Sequence, residues 1–208
     1  MTPFTIVQND YLSQDIQAFY HTDFGGTQLP NNPNFLYKLK NDPHHNWPNS
    51  RLHEAQQEFL RVLLLDLPEI ALQINKNPLM ICVVPRAKAE NSYNANQLLF
   101  KTTIKIAINQ LGNNFIDGTN LIERHTNTKT THIRQPIEGF NNDGLMPYIG
   151  ITNATCNISI DIIGKDIILI DDIYTRTVNI DEDAIQSLLN KGANSVIFYA
   201  VGKTVYNQ

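Results

Sequence analysis

The sequence predicts an α/β fold built on a mainly parallel, twisted sheet flanked by helices, and two observations predict it. From Pro78 onward, short apolar runs alternate with amphipathic stretches, the pattern of strand–helix–strand units. Within that region Ile167–Ile170 are consecutive apolar residues followed by Asp171 and Asp172, which suits a strand buried on both faces with charge at its carboxyl end. Open α/β sheets bind their ligands at such carboxyl ends. The same segment is therefore the candidate site.

The elements follow in chain order. Residues up to about 75 are rich in Asn, Pro, His and Gln, with a turn at Gly25-Gly26 and a polar loop from Asn41 to Ser50. Leu52, Ala55, Phe59, Val62 and Leu63 recur at helical spacing, predicting a helix from Ser50 to Asp66 that Pro68 ends. The change of pattern divides the chain into an N-terminal appendage, 1–76, and an α/β core, 77–208. Leu79–Val84 is a buried strand stopped by Pro85, and Ala95–Leu111 a helix. Phe115–Asp117 and Leu121-Ile122 are short strand candidates. The polar stretch Glu123–Phe140 has no periodicity, and connections of that length are often functional lids. Cys156–Ile163 and Asp166–Ile170 read as strands broken by Gly164-Lys165. An amphipathic helix spans Ile180–Asn190, Gly192 supplies its C-terminal cap, and Ser195–Val201 is the last buried strand.

Composition narrows the function. With 208 residues, 42% hydrophobic and 17% charged, the chain can bury a proper core. A net charge of −4 argues against a nucleic-acid-binding surface, although a local basic patch stays open. Cys82 and Cys156 read as buried small hydrophobes. The N-terminus lacks the basic and apolar regions of a signal peptide, and no apolar run approaches the roughly 18 residues that span a bilayer, so a cytoplasmic protein with no membrane partner is expected. His44, His45, His53, His125 and His132 match no zinc spacing, so no metal ligands are assigned. Gly202-Lys203-Thr204 lacks the earlier glycine of a Walker loop, because Ile stands at 197.

Two adjacent carboxylates at a strand end are costly unless a cation or hydroxyl meets them. The turn after Asp171 and Asp172 offers the hydroxyls of Thr175 and Thr177, the Arg176 guanidinium and N–H groups at a helix start, a combination that suits a phosphate. Carboxylates for a diol beside a phosphate cradle describe a ribose-5-phosphate site.

Residues 167–179 resemble the phosphoribosyl-diphosphate (PRPP) signature of type I phosphoribosyltransferases: apolar run, two acids, then a Thr-rich loop. Gly164-Lys165, Lys191–Val196, Ala200–Thr204 and Val83-Val84-Pro85-Arg86 followed by Tyr93–Gln97 are similar to the ComF/amidophosphoribosyltransferase-like branch, and the resemblance covers roughly 78–204. It implies that fold, with residues 1–76 as an N-terminal hood over the substrate end that selects the acceptor. It implies that Asp171 and Asp172 hold the ribose hydroxyls, directly or through a metal. Tyr174, Thr175, Arg176, Thr177, Val178 and Asn179 would line or wrap the 5-phosphate. Pro85, Arg86, Ala87 and Lys88 would form the diphosphate loop, with Arg86 and Lys88 supplying charge, and Arg124 and Lys129 would sit in a closing loop, Glu123–His132. Mg²⁺ would arrive bound to PRPP rather than in a protein cage.

The activity so implied is transfer of a phosphoribosyl group to or from a nitrogen nucleophile, a base or an amine, by a protein that relatives suggest is a homodimer. The alternative is a non-catalytic PRPP- or nucleotide-binding regulator, or a competence-related protein. Departures bear on that choice. Thr177 stands where the signature has a glycine, Tyr174 where purine-salvage relatives have an acid, and the zinc cysteines that often precede ComF domains are missing.

Overall fold

The structure is a computed structural model that describes residues 1–25, 29–40, 47–130, 142–144, 146 and 151–205. Gly26 of the first turn, residues 41–46 of the polar loop with His44 and His45, and residues 131–140 of the expected lid with His132 lie outside the described residues.

The architecture is α/β, a mostly parallel mixed sheet flanked by helices. Among the described residues the main sheet is six-stranded. Its strands are β1 (Thr2–Ile6), β2 (Ile16–Phe24), β3 (Leu79–Val83), β4 (Phe115–Asp117), β7 (Asp166–Tyr174) and β8 (Ser195–Thr204), in the order β1-β2-β8-β7-β3-β4. β1 is antiparallel to β2, and the other neighbours pair in parallel. A separate antiparallel pair joins β5 (Ile122–Arg124) to β6 (Cys156–Ile158).

The helices are α1 (Phe35–Lys40), α2 (Asn49–Ile74), α3 (Leu99–Leu111), α4 (Ile151–Thr155) and α5 (Ile180–Asn190). Successive residues of a strand point to opposite faces, so each central strand feeds two cores. Phe19, Ile81, Ile168 and Tyr199 pack with α1, α2 and α3 on one face. Ala18, Cys82, Ile167, Leu169 and Phe198 pack with α5 on the other. The continuous apolar runs of β3, β7 and β8 are what burial on both faces requires. Both cysteines are free and buried, and burial pushes the Cys82 thiol up to about 12. One polar network crosses the first core: Asp66 of α2 accepts from the Tyr199 hydroxyl at 2.7 Å and meets His21 Nδ1 at 2.9 Å.

Several sequence expectations need correction. Helix α2 does not stop at Pro68; it runs on to Ile74, with Asn75 in the left-handed conformation closing it. Leu67 and Ile70, both fully buried, continue the apolar face on either side of the proline, and that burial outweighs the missing N–H. The helix expected from Ala95 begins as a 3₁₀ turn, Ala95–Leu98, capped by Asn94 and Gln97 in a capping box. The strand expected over Cys156–Ile163 ends at Ile158, and a 3₁₀ turn, Ile160–Ile162, follows. Strand β7 continues past Ile170 to Tyr174, so Asp171 and Asp172 lie within its last turn of pleat. The first residues add β1 and β2 to the edge of the sheet, in register with β8 through Ala18 and Phe198.

The topology marks one place on the sheet. From β3 the chain passes through α3 to β4 on one side, and from β7 it passes through α5 to β8 on the other. The two connections diverge, so a crevice opens between the carboxyl ends of β3 and β7.

Candidate functional site

A cavity of about 190 Å³ lies at that crevice, with room for on the order of a dozen waters. Its walls differ in chemistry. Val84–Ala87, after β3, Arg124 at the end of β5 and Thr128–Thr130 form one side. Asp171 and Asp172 of β7 form the floor, and Leu36, Leu39 and Lys40 of α1 close the rim.

The cationic wall is built by local hydrogen bonding. Thr128 donates to the Ala87 carbonyl through both its backbone N–H (2.7 Å) and its hydroxyl (3.0 Å). Ala89 N–H donates to the Asn127 side chain at 2.9 Å, so hydrogen bonds tie the loop after β3 to the segment after β5. Arg124, only 5% exposed, donates through Nε to the Arg86 carbonyl and through Nη1 to the Thr155 hydroxyl, each at 2.5 Å. Burial lowers the Arg124 guanidinium from its ordinary value, with Cys156, Tyr93 and Asp183 pulling it back up. Arg86 lies over the Tyr93 ring at 4.6 Å and donates to the Gln97 carbonyl at 2.6 Å. Lys88 turns away from the main cavity: 7% exposed, it donates to the backbone and side chain of Asp143 at 2.6 and 3.1 Å.

The carboxylate floor divides by pleat. Asp172 faces α1 and pairs with Lys40 at 3.0 Å. Asp171 faces the start of α5 and shares a hydrogen bond with Asp181. Burial first, and the neighbouring Asp172 charge second, push Asp171 up to about 7, and Asp181 is raised well above its ordinary value by burial and by Asp171. Two carboxyls in hydrogen-bond contact must share a proton, and this pair holds one near neutrality.

The turn after β7 is organised differently from the expected phosphate wrap. Thr175 shares a 2.7 Å hydrogen bond with Thr204 of β8. Arg176, Thr177 and Val178 are exposed. Asn179 takes a left-handed backbone at φ 57°, and Thr177 does not have a positive φ. The conformational freedom that a glycine at 177 would have given is supplied two residues later, where Asn tolerates it. The first turn of α5 carries Asp181, Glu182 and Asp183, all buried, which suits the helix dipole. Each has a hydrogen-bond partner: Asp171 for Asp181, the Tyr174 hydroxyl at 2.9 Å for Glu182, and the Thr152 N–H at 2.8 Å for Asp183. Tyr174, Arg176 and Asn179 line a second cavity.

The structure thus brings Pro85, Arg86, Ala87, Arg124, Lys129, Asp171 and Asp172 to one cavity. It leaves Lys88 behind the wall and Thr175–Asn179 off to one side. Sequence reasoning missed Lys40, Tyr93, Thr128 and Asp181. Lys40 sits in a six-residue helix with no motif around it. Asp181 had a signal in the acidic run after Ile180, which reads equally as an ordinary helix start.

Among the described residues, no group of three or more His, Cys, Asp or Glu side chains is arranged to hold a metal ion. Asp171 and Asp172 bring two carboxylates to one cavity, oxygen donors of the kind a hard cation takes. No helix among the described residues is long and apolar enough to cross a membrane. No protein-family model matches the chain, and no curated protein matches it.

Proposed function

We propose that the protein is a phosphoribosyltransferase that binds PRPP with Mg²⁺ in the cavity between β3 and β7 and transfers the phosphoribosyl group to or from a nitrogen nucleophile. One observation carries the reading: a carboxylate floor and a cationic wall face each other across one cavity at the sheet's topological switch point. A sugar diol bearing phosphates needs both, because carboxylates accept from hydroxyls while guanidinium and ammonium groups meet phosphate oxygens. The resemblance of residues 167–179 to the PRPP signature supports it.

In this reading Asp172 and Asp171 accept from the ribose hydroxyls, and Arg86 and Lys129 draw the diphosphate to the opposite wall. Arg124 holds that wall in place through the Arg86 carbonyl. Bound Mg²⁺ would supply charge neutralisation for the departing diphosphate. The C1–oxygen bond breaks with its electron pair leaving on diphosphate, the C1–nitrogen bond forms, and the carboxylates stabilise positive charge developing on the ribose. Asp171, raised to about 7, lies in the cavity as an acceptor for the proton the nitrogen loses. Leu36, Leu39 and Lys40 of α1 stand over this floor and are the part of residues 1–76 placed to exclude water and to select the acceptor.

Calorimetry with PRPP and Mg²⁺ tests the site. Asp172→Asn is expected to weaken PRPP binding at least tenfold, and unchanged affinity would remove the assignment. Diphosphate release on adding a base or ammonia tests transfer. A specific observation favours a second reading, a non-catalytic PRPP or nucleotide sensor: Arg176 and Asn179 line a different cavity from Asp171 and Asp172. Binding without diphosphate release is the result that reading requires.

A further inference from the structure

The carboxylate floor of the first cavity carries its own counter-charge. Asp171 accepts from the Asp172 N–H through Oδ1 at 2.7 Å and shares a hydrogen bond with Asp181, so its carboxyl is engaged from two sides. Asp172 meets the Lys40 ammonium through Oδ2 at 3.0 Å. Its other oxygen, Oδ1, accepts no hydrogen bond from any described residue, and the side chain is 24% exposed and lines the cavity. The ammonium is well rooted. Lys40 is the last residue of α1, and Phe35, Leu36 and Leu39 before it are buried in the core. The Lys40 side chain lines the same cavity.

This arrangement suits a hydroxyl better than a metal. Mg²⁺ demands near-octahedral oxygen geometry, and the floor offers one uncommitted carboxylate oxygen. A dication on Asp172 would also stand beside the Lys40 ammonium, and the two like charges would repel. A hydroxyl meets neither difficulty: it is uncharged and donates to Oδ1, while Lys40 balances the carboxylate. We propose that Lys40 stands in for a metal ion at this floor, holding Asp172 by one oxygen so that the other accepts directly from the hydroxyls of a ribose phosphate, with no divalent cation between them. The inference rests on the assignment of the floor to ribose and decides how the ribose is held. Lys40 is then a positioning residue, and Mg²⁺ serves the diphosphate alone.

Ribose 5-phosphate is the test probe, because it carries the diol and one phosphate but no diphosphate to bring Mg²⁺. In calorimetry on the whole chain it is expected to bind with the same affinity in EDTA and in Mg²⁺, and more tightly than 2-deoxyribose 5-phosphate. Lys40→Met should weaken it about tenfold in EDTA, with Mg²⁺ recovering most of the loss. Lys40→Arg, which keeps the cation, should retain metal-independent binding. A merely structural lysine would give Lys40→Met the same loss with and without Mg²⁺, and that result would overturn the proposal. So would a requirement for Mg²⁺ in the parent chain, indifference to Lys40→Met, or equal affinity for the two sugars. PRPP with Mg²⁺ is titrated alongside. Saturable binding of PRPP without binding of ribose 5-phosphate sinks this inference alone, and binding of neither sinks the PRPP reading with it.

Discussion

Asp171 and Asp172 are adjacent and chemically identical, yet the pleat of β7 gives them different partners, a carboxyl for one and an ammonium for the other. The consequence is a measurable pH dependence. Asp171 is raised from 3.8 to about 7, so the folded state binds a proton that the unfolded chain has released in that window. Its contribution to stability is present below about pH 4 and is lost as pH rises toward 7, with a slope of up to about 1.4 kcal/mol per pH unit. Asp181 is raised further still, by burial and by Asp171, so Asp181→Asn removes a second carboxyl that stays protonated in the folded chain, and urea unfolding should show the variant gaining on the parent chain between pH 4 and 7. Parallel curves would contradict the shared proton. At this scale the sequence was partly legible. Strand-end acids and the basic residues Arg86 and Arg124 announce themselves by position, whereas Lys40 and Asp181 acquire meaning only when α1 and α5 are folded against the ends of β7. The side chain of Lys88 was equally conspicuous in sequence and turned to Asp143 instead.

Among the elements, α2 and the turn before α5 show where local rules yield to packing. Pro68 breaks no helix because the residues around it are buried, and its ring still denies one backbone hydrogen bond. Pro68→Ala is expected to raise stability by about 1 kcal/mol, read as a higher midpoint in thermal unfolding. The turn depends on the left-handed backbone at Asn179. Asn179→Gly should be tolerated, while Asn179→Ala should cost about 1 kcal/mol, because a Cβ without a compensating polar group disfavours that conformation. Strands β3 and β8 and helix α5 were legible because continuous apolar runs and helical spacing each permit one reading. The 3₁₀ turns at Ala95–Leu98 and Ile160–Ile162 were not, since the same apolar residues suit a helix or a strand.

For the whole molecule, the edge of the sheet is where the first residues meet the last described strand. Gly202 of β8 lies so close to β2 that an added Cβ would stand 2.8 Å from Phe24 Cβ, an atom fixed to the backbone. Gly202→Ala is therefore expected to destabilise by roughly 1–3 kcal/mol. If β2 and the central strands unfold together, Trp47 fluorescence and far-ultraviolet dichroism will shift by the same amount in that variant. Non-coincident transitions would show that β1 and β2 detach separately. Pairing of β2 with β8 had no signature in sequence, because parallel neighbours need not be near one another along the chain.

That pairing also has a history in time. Ala18 finds Phe198, so during synthesis β2 leaves the ribosome long before the strand it needs. Until β8 is made, β2 carries Ala18 and Phe19 with no neighbour on that side, and its open edge is free to pair with another chain. The strands that shape the crevice, β3 and β7, are separated in the same way, so the nascent chain has no site while most of it is already made. A chain stalled before Ser195 is then an aggregation hazard rather than a smaller working protein.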